Sequence, residues 1–445
     1  MKGPHILAPP PGPKSRDRLE RWKHCSPQKP SLTVLSEGEG IYVKDVDGNV
    51  YMNLADLNVS VGHRNQRIID AVHSQLEKSC VSTIRGSIPQ KIELMEKIKE
   101  IAPRGLSNGK FEFCNTGSDA SEFAMELARA YTGKTILIAY LGGHYGYSIG
   151  TLSLIADRSE NRRFCLPLIP CVEHIPYPYC YKCSFGQEYP GCGYRCLEYL
   201  SYVFDTLAHP EEVAGIFIEP IQQVAGVVTP PEGYFSKLRK ICDDYGLLLV
   251  DDEVAIGFGR TGKMFGIEHS GVDPDVMFLG KGFANGISMA GVMARKEIME
   301  KEAEFPVVRG GSFAGNPISC VSALATIKEI QDKKLVENSA RVGKYFIRRL
   351  REIQDQYELI GDVRGKGLLI GMELVKDLRS RKPTPEETEK VFFECFKRGL
   401  MVGRVGTYNQ VIRLSPPLVI SEEESDMAVE ILEESVKVVR ATGEG

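Results

Sequence analysis

The chain has 445 residues, which is long enough for more than one domain of the usual size of roughly 150 residues. Hydrophobic residues make up 42% and charged residues 26%, and the formal net charge is −4, a balance that disfavours a basic nucleic-acid binder. No uninterrupted apolar stretch of about 18 residues occurs, and the first residues lack the apolar core of a signal peptide. We therefore expect a cytoplasmic protein with neither a membrane nor a nucleic acid as partner.

Strand and helix patterns alternate along most of the chain. Residues 38–54 alternate around an Asp-Gly turn and predict a hairpin, and amphipathic patterns predict helices over 66–77 and 89–101. Six short apolar runs follow, at 110–114, 135–140, 215–218, 247–250, 276–279 and 290–294, with helical patterns such as 118–131 and 233–245 between several of them. This alternation predicts an α/β fold whose sheet is largely parallel and covered on both faces.

The chain beyond residue 317 has a different pattern. It predicts helices over 318–332, 336–354, 386–399 and 422–441, and strands over 367–374 and 411–414. This order indicates a second, smaller α+β domain.

Four motifs stand where an open parallel sheet places its ligand contacts, at strand ends and at the helix starts that follow them. The first is Asn115-Thr116-Gly117-Ser118, which follows a strand and opens a helix. Free backbone N–H groups, a glycine and the hydroxyl of Ser118 suit an anion such as phosphate. The alternative is an ordinary helix cap.

The second motif is the acidic run Asp251-Asp252-Glu253 at the end of an apolar strand. A carboxylate there would hold Mg²⁺ beside a nucleotide or pair with a protonated ring nitrogen of a cofactor. The nucleotide interpretation needs a phosphate-binding loop, and residues 257–263 match its first seven positions. Met264 then stands where Ser or Thr must bind the metal, and no strand leads into the loop, so the pattern disfavours a nucleotide.

The third motif is Lys281, which ends another apolar strand between two glycines. Desolvation at such a place lowers the pKa of a lysine and frees a neutral amine for Schiff-base chemistry, whereas the alternative is a lysine that reaches solvent. The fourth motif is a glycine-rich loop at 309–317, which contains Ser312 and leads into a helix.

In this order the motifs resemble those of the class III, fold type I aminotransferases, which use pyridoxal 5′-phosphate. The resemblance runs from residue 38 to about 441 and is carried by DEVxxGFGRTG at 252–262, by Lys281 and by GGSFAGNP at 310–317. It implies a large domain at 66–325 with a mainly parallel seven-stranded sheet, and a small α+β domain built from segments 1–65 and 326–445. It also implies a homodimer or higher homo-oligomer that moves an amino group from an amino acid or ω-amino donor to pyruvate or 2-oxoglutarate.

The resemblance assigns a role to each motif. Lys281 would hold the cofactor as a Schiff base and carry the proton at the substrate Cα, while Asp252 would keep the pyridine nitrogen protonated. The remaining cofactor contacts would be Gly117 and Ser118 at the phosphate, Ser312 from the neighbouring subunit, Val254 on one ring face, and Glu219.

The other ring face has two candidates. Relatives cover it with the aromatic residue of a Gly-x-Tyr-His-Gly stretch, and residues 142–146 of this chain have the two rings exchanged. Either His144 or Tyr145 would then contact the cofactor. The alternative for both is a packed loop residue.

Substrate contacts are suggested at three positions. Arg413 matches an arginine that grips a substrate carboxylate, although a surface ion pair is an alternative. Asp56 would attract a cationic or polar substrate tail and Arg85 an acidic one, unless both are solvated charges. Val224 occupies the place of a gating Glu in relatives that handle ω-amino acids, and of an Asp in similar amino-acid racemases.

Two alternatives to transamination remain open from these residues. A racemase or epimerase would use the same chemistry at Cα and return the proton from the opposite face, but Val224 removes its usual second proton carrier. A binding module without catalysis is the other alternative, and it leaves Lys281 and Asp252 without a purpose.

A cysteine-rich insertion is predicted at about 165–200. Its spacing suits a zinc site, with the four ligands Cys180, Cys183, Cys192 and Cys196. Disulfides and reduced, packed thiols are the alternatives.

Overall fold

A computed structural model describes residues 3–78, 86–305 and 311–443, so Arg85 lies outside the described residues. The helices are α1 (Pro13–Cys25), α2 (Gln66–Lys78), α3 (Pro89–Ile101), α4 (Gly117–Thr132), α5 (Ile149–Leu154), α6 (Arg195–Thr206), α7 (Tyr234–Tyr245), α8 (Lys296–Met299), α9 (Pro317–Asp332), α10 (Leu335–Gln354), α11 (Pro385–Lys397) and α12 (Glu422–Gly443). The strands are β1 (Leu35–Glu39), β2 (Tyr42–Asp45), β3 (Val50–Asn53), β4 (Lys110–Cys114), β5 (Ile136–Tyr140), β6 (Val172–Ile175), β7 (Val213–Ile218), β8 (Leu248–Asp252), β9 (Val276–Leu279), β10 (Ala290–Ala294), β11 (Ile360–Lys366), β12 (Leu369–Leu374), β13 (Leu400–Met401), β14 (Gly403–Val405) and β15 (Val411–Leu414).

A seven-stranded sheet in the order β4-β10-β9-β8-β7-β5-β6 forms the centre of the molecule. Its strands from β9 to β6 run parallel, and β10 is antiparallel to both of its neighbours. The six predicted strands are all present, and β6 is an additional edge strand. The mainly parallel sheet inferred from the sequence is therefore confirmed.

Helices cover both faces of this sheet. In β8, Leu249 packs in one hydrophobic cluster with Leu238 of α7, whereas Val250 packs in another with Phe123 of α4. Successive side chains of a strand point to opposite faces, so a strand buried on both sides must be apolar throughout. This burial on both faces explains why the strands appear in the sequence as uninterrupted apolar runs.

Two four-stranded sheets complete the fold. The first, β1-β2-β3-β13, contains the predicted hairpin, and it joins the N-terminal part of the chain to a strand near residue 400 through the parallel pair β3 and β13. The second, β11-β12-β15-β14, is antiparallel. Among the helices of the described ranges, none is both long and apolar enough to cross a membrane.

Candidate active site

Four neighbouring parallel strands deliver side chains to one edge of the central sheet. Lys281 follows β9, Asp252 ends β8, Glu219 follows β7 and His144 follows β5. The carboxyl ends of parallel strands lie at the same edge, which is where open α/β sheets bind ligands. The strand order therefore puts the two carboxyl groups between the lysine and the histidine.

Lys281 begins a short 3-10 helix in an unusual backbone conformation. Its φ is 43°, a left-handed value that is strained for a residue with a side chain and that recurs at functional sites. The two flanking positions leave little room for a side chain, because a Cβ at Gly282 would lie 2.1 Å from Ser60 Oγ and one at Gly280 would lie 3.2 Å from Val254. The strained turn thus fixes where the lysine side chain starts.

The amine of Lys281 is desolvated. Burial lowers its pKa, and the negative charges of Asp252 and Glu219 oppose that shift. No hydrogen bond or ion pair to Nζ is formed by the described residues. The amine is therefore held close to two carboxyl groups without being tied to either.

Asp252 is a buried carboxyl group at the end of β8. It is 4% exposed, and the backbone N–H of Val254 donates to its Oδ1 at 2.9 Å. Burial raises its pKa to about 7, opposed by that hydrogen bond and by Lys281. A buried carboxyl group with one committed oxygen fits a protonated pyridine nitrogen, which would supply the missing positive partner.

The two other acids of the run face away from Asp252. Residues alternate along β8, so Asp251 and Glu253 lie on the face of Leu249, while Asp252 lies on the face that α4 covers. Burial, with the neighbouring Glu253 charge, raises the pKa of Asp251 well above its ordinary value. Of these three acids, only Asp252 therefore lies on the α4 face of β8.

The carboxylate of Glu219 accepts hydrogen bonds from two backbone segments at the site. Its Oε1 accepts from the N–H of His144 at 3.0 Å and its Oε2 from the N–H of Gln223 at 3.2 Å. Burial raises its pKa to about 8, and the charge of Asp252 adds to the shift while that of Lys281 opposes it. Glu219 therefore neighbours His144, Asp252 and Lys281 at once.

The start of α4 has the geometry of an anion site. Thr116 caps the helix by accepting from the N–H of Asp119. This cap does not use the N–H groups of Gly117 and Ser118, the first two residues of the helix. Ser118 Oγ accepts from the N–H of Tyr147 at 3.1 Å, which leaves its proton available to an acceptor. A Cβ at Gly117 would lie 3.0 Å from Val254, so glycine is needed where the two segments meet. These groups fit the phosphate of the cofactor.

The structure places the rings of His144 and Tyr145 in different surroundings. Tyr145 is 2% exposed and its hydroxyl donates to the carbonyl of Phe217, so it packs in the core. His144 instead remains partly exposed beside Tyr147, with Nδ1 2.9 Å from Asp157 Oδ2. The geometry favours His144 over Tyr145 as the ring that contacts the cofactor.

Two arginines, Arg413 and Arg260, lie close enough for the charge of one to act on the other. Arg413, on β15, donates from Nη2 to the carbonyl of Ala55, and its Nε is buried without a hydrogen-bond partner among the described residues. Burial lowers its pKa to about 10, opposed by Asp56. The pKa of Arg260 also falls to about 10, from burial and then from the charge of Arg413. Neither guanidinium has a carboxylate within ion-pair distance in the described ranges.

Asp56 therefore faces positive charge, and this position weakens its predicted attraction for a cationic substrate tail. Val224 contributes its carbonyl oxygen to the N–H of Gly406 at 2.8 Å. Ser312 lies exposed in a turn before α9, and its predicted contact with a neighbouring subunit stays a prediction.

The sequence did not reveal Asp157 or Arg260 as site residues. Asp157 is 13 residues from His144 with no motif between them, and Arg260 lies inside the family signature without a separate signal.

The cysteine cluster is brought together by the fold. Cys180, Cys183, Cys192 and Cys196 line one small cavity, and every cysteine in the described ranges is a free thiol. Burial raises the pKa of Cys196 to about 11, which favours the protonated thiol. Within the same ranges, no group of three or more His, Cys, Asp or Glu side chains is arranged to hold a metal ion. The four thiols are therefore close together, and their state as packed thiols or zinc ligands stays a prediction.

Comparisons with known proteins agree with this geometry. The family model for class III aminotransferases matches residues 25–436. The alanine/serine racemase of Pyrococcus horikoshii is 37% identical over 98% of this chain and 93% of its own, and the acetylornithine aminotransferase of Methanopyrus kandleri is 35% identical over 96% and 100%. The crystal structure of a transaminase from the marine bacterium Virgibacillus superposes with a TM-score of 0.88 at 31% identity, covering 96% of this chain and 100% of its own. The chain therefore belongs to the class III aminotransferase family, whose members use pyridoxal 5′-phosphate.

Proposed function

We propose that the protein transfers an amino group from an amino acid to a 2-oxo acid, with Lys281 and Asp252 as its catalytic residues. The observation that carries this proposal is the amine of Lys281, which has a lowered pKa, has no hydrogen-bond partner among the described residues, and lies beside two buried carboxyl groups. A neutral amine is both a nucleophile and a proton acceptor, and transamination needs both properties.

Each residue at the sheet edge has a separate task. Bound pyridoxal phosphate supplies an electron-withdrawing ring that stabilises negative charge at the substrate Cα. Asp252 accepts a hydrogen bond from the ring nitrogen and keeps it protonated. Lys281 Nζ would hold the cofactor and would take the proton from the substrate Cα. Glu219 holds the His144 backbone beside these groups.

The remaining contacts position the cofactor. Gly117 and Ser118 bind the phosphate at the start of α4, and Ser312 of a second subunit completes that site in a homodimer. Val254 packs on one ring face, since its side chain lies against the places where a Cβ at Gly117 or Gly280 would stand. His144 covers the other face.

Arg413 selects the substrate. Its guanidinium is partly buried and lacks a carboxylate partner in the described residues, so an incoming α-carboxylate would satisfy both its charge and its open donors. Because donor and 2-oxo acid acceptor carry the same carboxylate, one arginine serves both halves of the reaction. Substrates with an α-carboxylate are therefore favoured over simple amines.

We further propose a small domain formed by segments 1–65 and 326–445, and a cytoplasmic location. The small domain is supported by the pairing of β3 with β13. The location is supported by the free thiols, which persist in a reducing compartment.

The test is a panel of L-amino acids, each mixed with the cofactor-loaded protein and either pyruvate or 2-oxoglutarate. Appearance of L-alanine or L-glutamate together with the matching oxo acid supports the proposal. Lys281→Ala is the control for a non-enzymatic reaction of free cofactor. A panel without amino transfer to either acceptor contradicts the proposal.

A second candidate is amino-acid racemisation. Its support is the 37% identity to the alanine/serine racemase of Pyrococcus horikoshii over nearly the whole chain. Racemisation requires a proton carrier on each side of Cα, and Val224 cannot be one of them.

A further inference from the structure

His144 and Asp157 form a buried acid–imidazole pair that transamination does not need. The His144 side chain is 13% exposed and that of Asp157 is 2% exposed, and Nδ1 lies 2.9 Å from Oδ2. A ring that served only to cover the cofactor would not require an ionised partner. Tyrosine or phenylalanine would fill the same space without a buried charge.

Asp157 is built to stay ionised. Burial alone would raise its pKa, but hydrogen bonds from His144 and Asn161 lower it below its ordinary value. The amide of Asn161 donates to both carboxylate oxygens at 3.0 Å, and the N–H of Arg158 donates to Oδ1. An ionised carboxylate at Nδ1 holds the proton on that nitrogen and leaves Nε2 as the ring nitrogen that can exchange a proton with a ligand. Nε2 has no partner in the described part of the chain.

The strand order separates His144 from Lys281 along the edge of the sheet. Lys281 follows β9 and His144 follows β5, with β8 and β7 between them, so three strand spacings, or about 14 Å, separate the two strand ends. Asp252 and Glu219 stand on the intervening strands. The charge of Lys281 acts on Glu219, and Glu219 accepts from the backbone N–H of His144. His144 and Lys281 therefore stand at the two ends of this row of side chains along the sheet edge.

We propose that His144, held by Asp157, is the second proton carrier of the site and gives the protein racemase or epimerase activity towards α-amino acids. This inference rests on the proposed role of Lys281. Lys281 Nζ takes the proton from Cα, so that the C–H bond breaks and an N–H bond forms, and the electron-withdrawing ring that the cofactor would supply would stabilise the electron pair left at Cα. The imidazolium of His144 then gives its Nε2 proton to Cα from the other side. No oxidant or reductant is consumed, and solvent exchange restores both groups.

Val224 does not prevent this route. Its backbone carbonyl accepts a hydrogen bond from the N–H of Gly406. The proton carrier that similar racemases have at this position would here be His144, which follows a different strand. Asp157 acts through His144 and is a positioning residue.

The experiment follows L-alanine and L-leucine with the cofactor-loaded enzyme in D₂O, without any oxo acid. Proton exchange by Lys281 gives the deuterated L-isomer, and proton return by His144 gives the deuterated D-isomer. The measured quantity is the ratio of D-isomer to deuterated L-isomer, which does not depend on how much cofactor a variant binds. We expect the wild type to form the D-isomer, and His144→Phe, which keeps a ring, to lower the ratio by about 100-fold or more.

Two further variants separate proton transfer from packing. Asp157→Asn keeps the hydrogen bond but removes the charge, so it should lower the ratio and move the pH dependence of D-isomer formation while His144 stays in place. Tyr147→Phe removes the hydroxyl of the ring that contacts His144, and its ratio should match the wild type.

The outcomes are distinct. Deuterium exchange into L-alanine or L-leucine without any D-isomer overturns the inference and leaves the proposed function standing. An unchanged ratio in His144→Phe, or a collapse in Tyr147→Phe instead, also overturns it. Absence of both exchange and amino transfer in the wild type refutes the proposed function itself.

Discussion

Replacing Arg413 by methionine should raise the stability of the cofactor-free protein and weaken its binding of carboxylate substrates. The pKa of Arg413 falls from its ordinary value to about 10 because the guanidinium is largely buried. At 1.36 kcal/mol per unit, holding this charge costs the folded chain at most about 3 kcal/mol. The folded pKa lies below the unfolded one, so this cost is fully present at neutral pH and is relieved only above about pH 10.

The substitution also removes the hydrogen bond to the carbonyl of Ala55, which contributes about 1 kcal/mol. The net gain is then about 2 kcal/mol. With an unfolding entropy of roughly 2.1 cal/mol/K per residue, the melting temperature should rise by about 2 °C. Thermal unfolding of the cofactor-free protein measures this shift.

The same change removes two charge-assisted hydrogen bonds to the substrate carboxylate, each worth at least about 1.5 kcal/mol. KM for α-amino acids should therefore rise by roughly 150-fold, while KM for an amine without a carboxylate should not. Arg404→Met is the matched control, because Arg404 lies on the adjacent strand and is paired with Glu389 at 2.9 Å. A lower melting temperature, or equal KM changes for carboxylate and carboxylate-free donors, would refute this reasoning.

Four other experiments test the site and the packing. Borohydride should fix the cofactor to the wild-type chain and not to Lys281→Ala, and a labelled Lys281→Ala peptide seen by mass spectrometry contradicts the assignment. Asp252→Ala should lower kcat by several orders of magnitude, whereas Asp251→Asn, on the opposite face of β8, should stay close to the wild-type rate; equal losses would show that the acids are not distinguished by face. Gly343→Ala should destabilise the fold by about 2 kcal/mol or more in urea unfolding, because its Cβ would lie 2.0 Å from the carbonyl oxygen of Gly367, and wild-type stability would reject that contact. Elemental analysis of desalted protein should find less than about a tenth of an equivalent of zinc, since the clustered cysteines are packed as thiols, and a full equivalent would restore the metal site.

The sequence predicted those parts of the site that combine a strand end with an unusual composition. Lys281 and Asp252 each follow an uninterrupted apolar run, so their position at the sheet edge follows from the parallel topology. The edge strand β6 was not predicted because two of its four residues, Glu173 and His174, are polar. Strand β11 was hidden by its two glycines, which weaken a strand pattern.

Contacts made by irregular segments could not be read from the sequence. His144 and Tyr145 are adjacent in a loop without a period, so nothing local decides which ring enters the core. Asp157 reaches His144 because the chain turns back after α5, and only the folded structure brings the two together. Long-range pairs of this kind are set by tertiary packing rather than by local pattern.

The pairing of β3 with β13 bears on how the chain is made. Met52 lies opposite Leu400, so the ribosome must add about 350 residues before the N-terminal hairpin meets its neighbour. At 5–20 residues per second that wait is roughly 17 to 70 s. Throughout it, the edge of β3 has unpaired backbone groups that other nascent chains can reach, and chaperone protection during synthesis should matter more for this protein than for one whose ends fold locally.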